Sequence, residues 1–192
     1  MARNGPPASA SKLYVAQMST NVILRPVRPG DESQVVAGHN AMMSEDFEFA
    51  LDYQSHEPFS AYVERLKKFS YGVDLPDGYV PATFLIAVVD NIVVGRVSIR
   101  HKLNDFLAHE GGHIGYGVLA EHRRKGYATD ILAHAVIVAR SVGIEAALLT
   151  CADQNVYSAR VIERSGGVLR DKVTASDGTT VRRYDITLFA QI

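Results

Sequence analysis

A single cysteine, Cys151, stands among the 192 residues, so no disulfide can form within the chain. That excludes the cross-linked architecture of a small secreted protein and points to a reducing, cytoplasmic setting. An excess of one charge is also missing. Twenty Lys and Arg against 21 Asp and Glu leave a net charge of −1, and no basic surplus exists to follow a nucleic acid. Apolar stretches are broken by charges or turns well short of the roughly 20 residues that span a bilayer, so no membrane segment is expected. The first residues, rich in Ala, Ser and Pro, hold no apolar run of signal-peptide length, and residues 1–20 are expected to form a mobile arm. Internal repeats are absent, as is low-complexity sequence beyond that arm. What remains, with 47% hydrophobic and 21% charged residues overall, suits one globular domain with a full core, expected over residues 21–192.

Periodicity orders this domain. Residues 21–29 alternate like a strand and end at Pro-Gly, after which Asp31 can cap a helix through residue 43. Tyr62, Val63, Leu66 and Phe69 recur at helical spacing in a second helix. Residues 83–103 contain two β-rich runs joined by Asp90-Asn91, a short-hairpin signal. A polar loop, "NDFLAHEGG", leads to a glycine-laden strand from about His113 to Leu119, and glycines weaken a strand unless backbone or ligand must approach. A helix with Ala128, Ile131, Leu132, Ala135, Ala139 and Val142 on one face follows, then a strand over residues 145–152. A short helix over 155–164 ends at Gly166-Gly167, and a terminal hairpin closes the chain.

The stretch "RRKGYATDILAHAVIVARS", residues 123–141, sets three cations and a glycine against the start of that long helix. A helix N-terminus is already positive from its unpaired N–H groups and macrodipole, so added cations make sense when a polyanion sits there. Arg123, Gly126 and Ala128 give the spacing Arg-x-x-Gly-x-Ala between a strand and a helix. Gly126 permits close approach, Ala128 keeps the helix entrance narrow, and Arg123, Arg124 or Lys125 can meet phosphate oxygens by charge-assisted bonds. The pattern reads as a pyrophosphate cradle. The nucleotide-triphosphate motif Gly-x-x-x-x-Gly-Lys-Ser/Thr and the dinucleotide fingerprint are both missing.

In this setting the chain resembles the GNAT superfamily of acyl-CoA-dependent N-acetyltransferases, in particular a group of predicted bacterial acetyltransferases. "GGHIGYGVLAEHRRKGYAT", the helix, "LLTCADQN" and "NVYSARVIERSGG" carry the resemblance from about Gly112 to Gly167. It implies a single α/β domain whose mixed, mostly antiparallel central sheet is flanked by helices and has splayed parallel central strands. It further implies acetyl-CoA as co-substrate, without a metal, and an amine acceptor: a small molecule or a protein N-terminus. It allows a homodimer.

Carried over by position, the resemblance places Tyr116, Gly117 and Val118 beside the pantetheine, with the Val118 N–H polarising the acyl carbonyl. Arg124, Lys125, Gly126, Tyr127, Ala128 and Thr129 wrap the pyrophosphate. Asn155 and Ser158 occupy the family's Asn-x-x-Ala/Ser positions against the pantetheine arm and the nucleotide. The sequence also departs from the family. Ile162 stands where many members carry a tyrosine acid, and Gly112, Ile114 and Thr150 stand where members place a base. His113 is the nearest titrating candidate for catalysis, set against a hydrogen-bonded strand histidine. The vacant acid and base positions keep an alternative open, a non-catalytic GNAT-like module that binds CoA or a small ligand. "EDFEFALDY", residues 45–53, reads either as an acceptor loop of carboxylates and aromatics or as a solvated loop with Phe47, Phe49 and Tyr53 packed on the core. Cys151 reads as a small buried hydrophobe or, less simply, a nucleophile. His109 and His113 lack a third ligand for a metal.

Overall fold

The computed structural model describes residues 20–189. Of the expected N-terminal arm only Thr20 falls within them, and it is tied down: its N–H and hydroxyl donate to Asp130 at 2.7 and 2.5 Å.

The elements run β1 (Ile23–Arg25), α1 (Glu32–Met43), α2 (Phe59–Ser70), β2 (Ala82–Val89), β3 (Ile92–Arg100), β4 (Ile114–Val118), α3 (Tyr127–Ser141), β5 (Ala146–Ala152), α4 (Val156–Arg164), β6 (Val168–Thr174) and β7 (Thr180–Thr187). The β2–β3 hairpin turns at Asp90 and Asn91, with φ of 48° and 65°, the left-handed pair that a two-residue hairpin needs. Asp31 behaves differently from a forward cap. Its carboxylate turns back to the Arg28 N–H and the Arg25 guanidinium, because a bidentate charged partner outbids the helix's own N–H groups. The expected polar loop before β4 contains a π-helical turn, Leu107–Gly111. The Asn104 side chain accepts from the Leu107 N–H at 2.9 Å and starts that turn, and Leu107 is buried beneath it.

The helix-flanked, antiparallel α/β architecture expected from the sequence is present, divided into two sheets. One has the order β1-β2-β3-β4, the other β5-β7-β6, and each pairing within them is antiparallel. The β4–α3–β5 crossover joins the two, a connection that brings the second strand back in the direction of the first.

Alternation along β2 and β3 divides the core. Leu85, Val97 and Ile99 face α3 and α4, where Ile131, Leu132, Ala135 and Ile162 are fully buried. Phe84 and Ile86 face α1 and α2, against Val35, Phe49 and Tyr62. Each such Leu, Ile or Phe contributes about 1.5–3 kcal/mol relative to exposure, so both clusters hold their helices on the sheet. Among the described residues no helix is long and apolar enough to cross a membrane.

Candidate active site

β4 and β5 are both edge strands, and the direction of their main-chain groups decides what lies between them. Arg100 N–H donates to His113 O at 2.8 Å and Leu119 N–H to Val94 O at 3.0 Å, so the His113 carbonyl, the backbone groups of residues 115 and 117 and the Leu119 N–H are spent on β3. The N–H and C=O of Ile114, Tyr116 and Val118 point the other way. On β5, Asp153 N–H donates to Thr180 O and Leu188 N–H to Glu145 O, which assigns the odd residues to β7 and leaves Leu148, Thr150 and Ala152 facing β4.

The two strands are clasped at one point. His113 N–H donates to Leu148 O at 2.7 Å, and Leu148 N–H donates to His113 Nδ1 at 2.9 Å. Gly112, with φ of 68°, permits the approach, since a Cβ there would stand 2.7 Å from Leu148 O. Past the clasp no ladder bond joins β4 to β5 among the described residues, which leaves an unpaired gap in the hydrogen bonding along Tyr116, Val118 and Thr150. Burial, and secondarily the Arg100 charge, hold the His113 imidazole below its ordinary pKa. With Nδ1 accepting from Leu148, the neutral ring carries its proton on Nε2 and has no spare lone pair for a substrate.

At the other end of the gap the chain enters α3 through two left-handed residues, Arg124 (φ 62°) and Gly126 (φ 87°, the N-cap). The main-chain N–H groups of Arg124, Lys125, Gly126, Tyr127 and Ala128 have no partner among the described residues, and the first inward bonds are those of Thr129 and Asp130 to Gly126 O. Five consecutive free donors at the positive end of a helix make a phosphate-sized anion cradle. Arg124 and Lys125 are exposed beside it. Arg123 is occupied elsewhere: its Nε donates to Val118 O at 3.1 Å and its Nη2 pairs with Glu45 at 2.6 Å, which ties the end of β4 to the end of α1.

α4 borders the gap on the α3 side. Asn155 caps this helix, its Oδ1 accepting from Ser158 N–H at 3.0 Å, which leaves the Nδ2 donors for a ligand. The Ser158 hydroxyl lies 3.2 Å from the Tyr116 hydroxyl, whose pKa burial pushes up to about 12. Ile162 is fully buried in the core, and Cys151 is a buried thiol whose pKa desolvation raises. Among the described residues no three His, Cys, Asp or Glu side chains are grouped to hold a metal.

The opposite face of β4 meets residues 45–53, whose aromatics pack on the core as the second reading of that loop expected. Phe49 is fully buried and Tyr53 packs edge-on against His39 and Tyr62, while Glu48 lines an open cavity. Phe47 lies on Gly117 and beneath Arg96, whose guanidinium carbon is 4.4 Å from the ring centroid. Sequence reasoning missed Arg96, Ser98 and Arg100 of β3. Their signal was the alternation in "RVSIR", which puts three polar residues on one face of an otherwise apolar strand.

These features define an acyltransferase-like layout, and sequence comparison fixes the class. The model of the acetyltransferase (GNAT) family matches residues 41–167. The chain belongs to that family. No curated protein matches it in sequence. Solved structures of similar fold include yncA, a putative acetyltransferase from Salmonella typhimurium with acetyl-CoA, at 13% identity and TM-score 0.59, covering 88% of this chain and 95% of that one. An acetyltransferase from the same organism that modifies the N-terminal serine of a 50S ribosomal subunit protein is 19% identical, TM-score 0.62, covering 88% and 96%. A spermidine N-acetyltransferase chimera of Vibrio cholerae SpeG and hSSAT is 18% identical, TM-score 0.60, covering 88% and 96%. At these identities the likeness is one of fold.

Proposed function

We propose that the protein transfers an acetyl group from acetyl-CoA to an amine, with the pyrophosphate on the N–H groups of residues 124–128 and the pantetheine arm in the gap between β4 and β5. The observation that carries this reading is the closeness in the chain of two features: a cradle of N–H groups without partners among the described residues follows a strand edge whose Tyr116 and Val118 N–H groups also have none there. The amide-rich arm can pair with that edge as an added strand would. Val118 comes first from the cradle and Tyr116 one pleat farther. The thioester, at the far end of the arm, meets the Tyr116 N–H before the clasp at His113 closes the gap, and Val118 then serves the arm. That N–H polarises the acyl carbonyl as an oxyanion donor does.

The amine nitrogen bonds to the carbonyl carbon, the C–S bond breaks, and CoA leaves as thiolate, a good leaving group that water protonates. The proton shed by the amine goes to water. His113 holds the strands at the angle that keeps the gap open. Positioning and backbone polarisation supply the rate. The test is thiol release from acetyl-CoA across a panel of amines, together with CoA titration by calorimetry. Turnover with binding supports transfer, binding without turnover on any amine favours the non-catalytic module, and no binding overturns both.

A further inference from the structure

Six arginines have a carboxylate partner: Arg25, Arg65, Arg123, Arg170, Arg182 and Arg183. Among the described residues the two arginines of β3 have none. Arg96 is 5% exposed, donates to Gly115 O and Glu48 O, stacks on Phe47, and keeps a buried Nε with no partner among the described residues; desolvation pulls its pKa down to about 9. Arg100, four residues from it on the same face, spends Nη1 on the carbonyls of Gly111 and Gly112 at 3.2 and 3.3 Å. Its Nε and Nη2, the edge that takes a carboxylate bidentately, have no partner among the described residues, and burial lowers its pKa. Two like charges held side by side, with only the exposed Glu48 charge acting on Arg96 to offset them, are costly unless a further anion arrives.

Arg100 lines a cavity of about 230 Å³ between β2–β3 and α2. That is smaller than the pockets that hold drug-sized ligands. Leu66, Phe69, Val80, Phe84 and Phe106 form its apolar wall, and Ser98 and Asn104 add uncharged polar groups. Glu48, exposed, and Asp52 also line it, but Asp52 pairs with Arg65 and its N–H holds Glu48 Oε1 at 2.7 Å. The cavity is thus cationic at its inner wall and anionic at an exposed residue, the complement of a zwitterion. It also adjoins the gap. A Cβ on Gly115, the residue before Tyr116, would stand 3.3 Å from Arg100 Nη1.

We infer that the acceptor carries its own carboxylate: a free α-amino acid with an apolar side chain, its carboxylate on Arg100, its side chain among Leu66, Phe69, Phe84 and Phe106, and its amine at the edge of β4. An α-amine lies two bonds from its carboxylate carbon, so an acid seated on Arg100 delivers the nitrogen to the region of Tyr116. A polyamine would bring further cations to two unpaired guanidiniums, and a peptide N-terminus would bring no charge to meet them. This inference rests on the acetyl-transfer reading.

The test compares leucine, methionine and phenylalanine with their carboxamides, with spermidine and with peptides starting in the same residues, by thiol release and by calorimetric binding to the CoA-loaded protein. The free acids should exceed the amides by about 30-fold or more in kcat/KM, the scale of a lost charge-assisted pair. Arg100→Gln should erase that preference while CoA binding stays at the parental value. Phe106→Ala, at a 58% exposed position, should weaken phenylalanine against alanine without disturbing the fold. Equal use of acid and amide, preference for spermidine, or no binding of any amino acid to the CoA-loaded protein overturns the inference. Loss of CoA binding in the parent would instead overturn the proposed function.

Discussion

The two faces of the β1–β4 sheet present their hydrogen-bonding groups by different means. On the α3 side the available donors are main-chain groups: the N–H groups of residues 124–128 and the outward edge of Tyr116 and Val118. On the α1–α2 side they are side chains, Arg96, Ser98 and Arg100 from β3, with the Glu48 carboxylate of a loop as an acceptor. A backbone site needs only a chain path, and a path tolerates almost any side chain except where space or φ is limiting. A side-chain site depends on residue identity at each position. Under the proposed function the first serves a co-substrate common to a family, and the second is where one member's acceptor preference is built.

Substitutions can break this comparison at graded cost. The largest effect is expected from Gly126→Asp, which forces a side chain into a left-handed N-cap and sets a carboxylate against the pyrophosphate site. CoA affinity should fall by about 100-fold or more in calorimetry, with the far-UV spectrum retained; unchanged affinity would remove the cradle from the account.

Gly112→Ala comes next. Its Cβ would press on Leu148 O at a φ of 68°, so the clasp must spread, and chemical denaturation should show a loss of about 2–3 kcal/mol. A loss below half a kcal/mol would mean that β4 and β5 are not held there.

His113→Gln leaves Leu148 N–H without its imidazole acceptor, worth about 1–2 kcal/mol. The pH dependence is more telling. The folded His113 pKa is depressed, so between the ordinary histidine value, about 6.5, and the lower folded value the unfolded chain binds more protons. The stabilisation is fully present above the unfolded pKa and is lost as pH falls through the folded one. Parent minus variant stability should therefore shrink on acidification from neutral pH, and a flat difference would contradict the clasp.

The smallest and most discriminating effect separates the two jobs of Asn155. Asn155→Ala should lose about 1 kcal/mol of stability with the cap and raise KM for acetyl-CoA. Asn155→Asp keeps the cap oxygen and loses only the Nδ2 donor, so KM should rise without the thermal penalty. Equal stability loss in both would confine Asn155 to the helix.

The same division explains what could be read from the sequence. The cradle was legible because its requirements are local: a glycine, a strand before it and an amphipathic helix after it lie within about 30 residues. The β2–β3 hairpin was legible for the same reason, Asp90 and Asn91 being residues that accept a positive φ. The position of Arg123 in the motif was legible, but its engagement with Glu45 was not, because that partner is 78 residues away in sequence. His113 stood out as a titrating residue, and its pairing with Leu148 needed the register of two strands from different sheets. The cavity draws on residues from 48 to 107, scattered over a loop, a helix, two strands and a π turn, and no spacing rule connects them.

The central claim is that the co-substrate is gripped by backbone N–H groups on one face while the other face is left to the acceptor. Amide proton and nitrogen shifts of the ¹⁵N-labelled protein, recorded on titration with CoA, test it directly. The account predicts the largest changes at Arg124, Lys125, Gly126, Tyr127 and Ala128, followed by Tyr116 and Val118, with α1 and α2 scarcely moved. Large changes along α1 and α2 with residues 124–128 unshifted would contradict it.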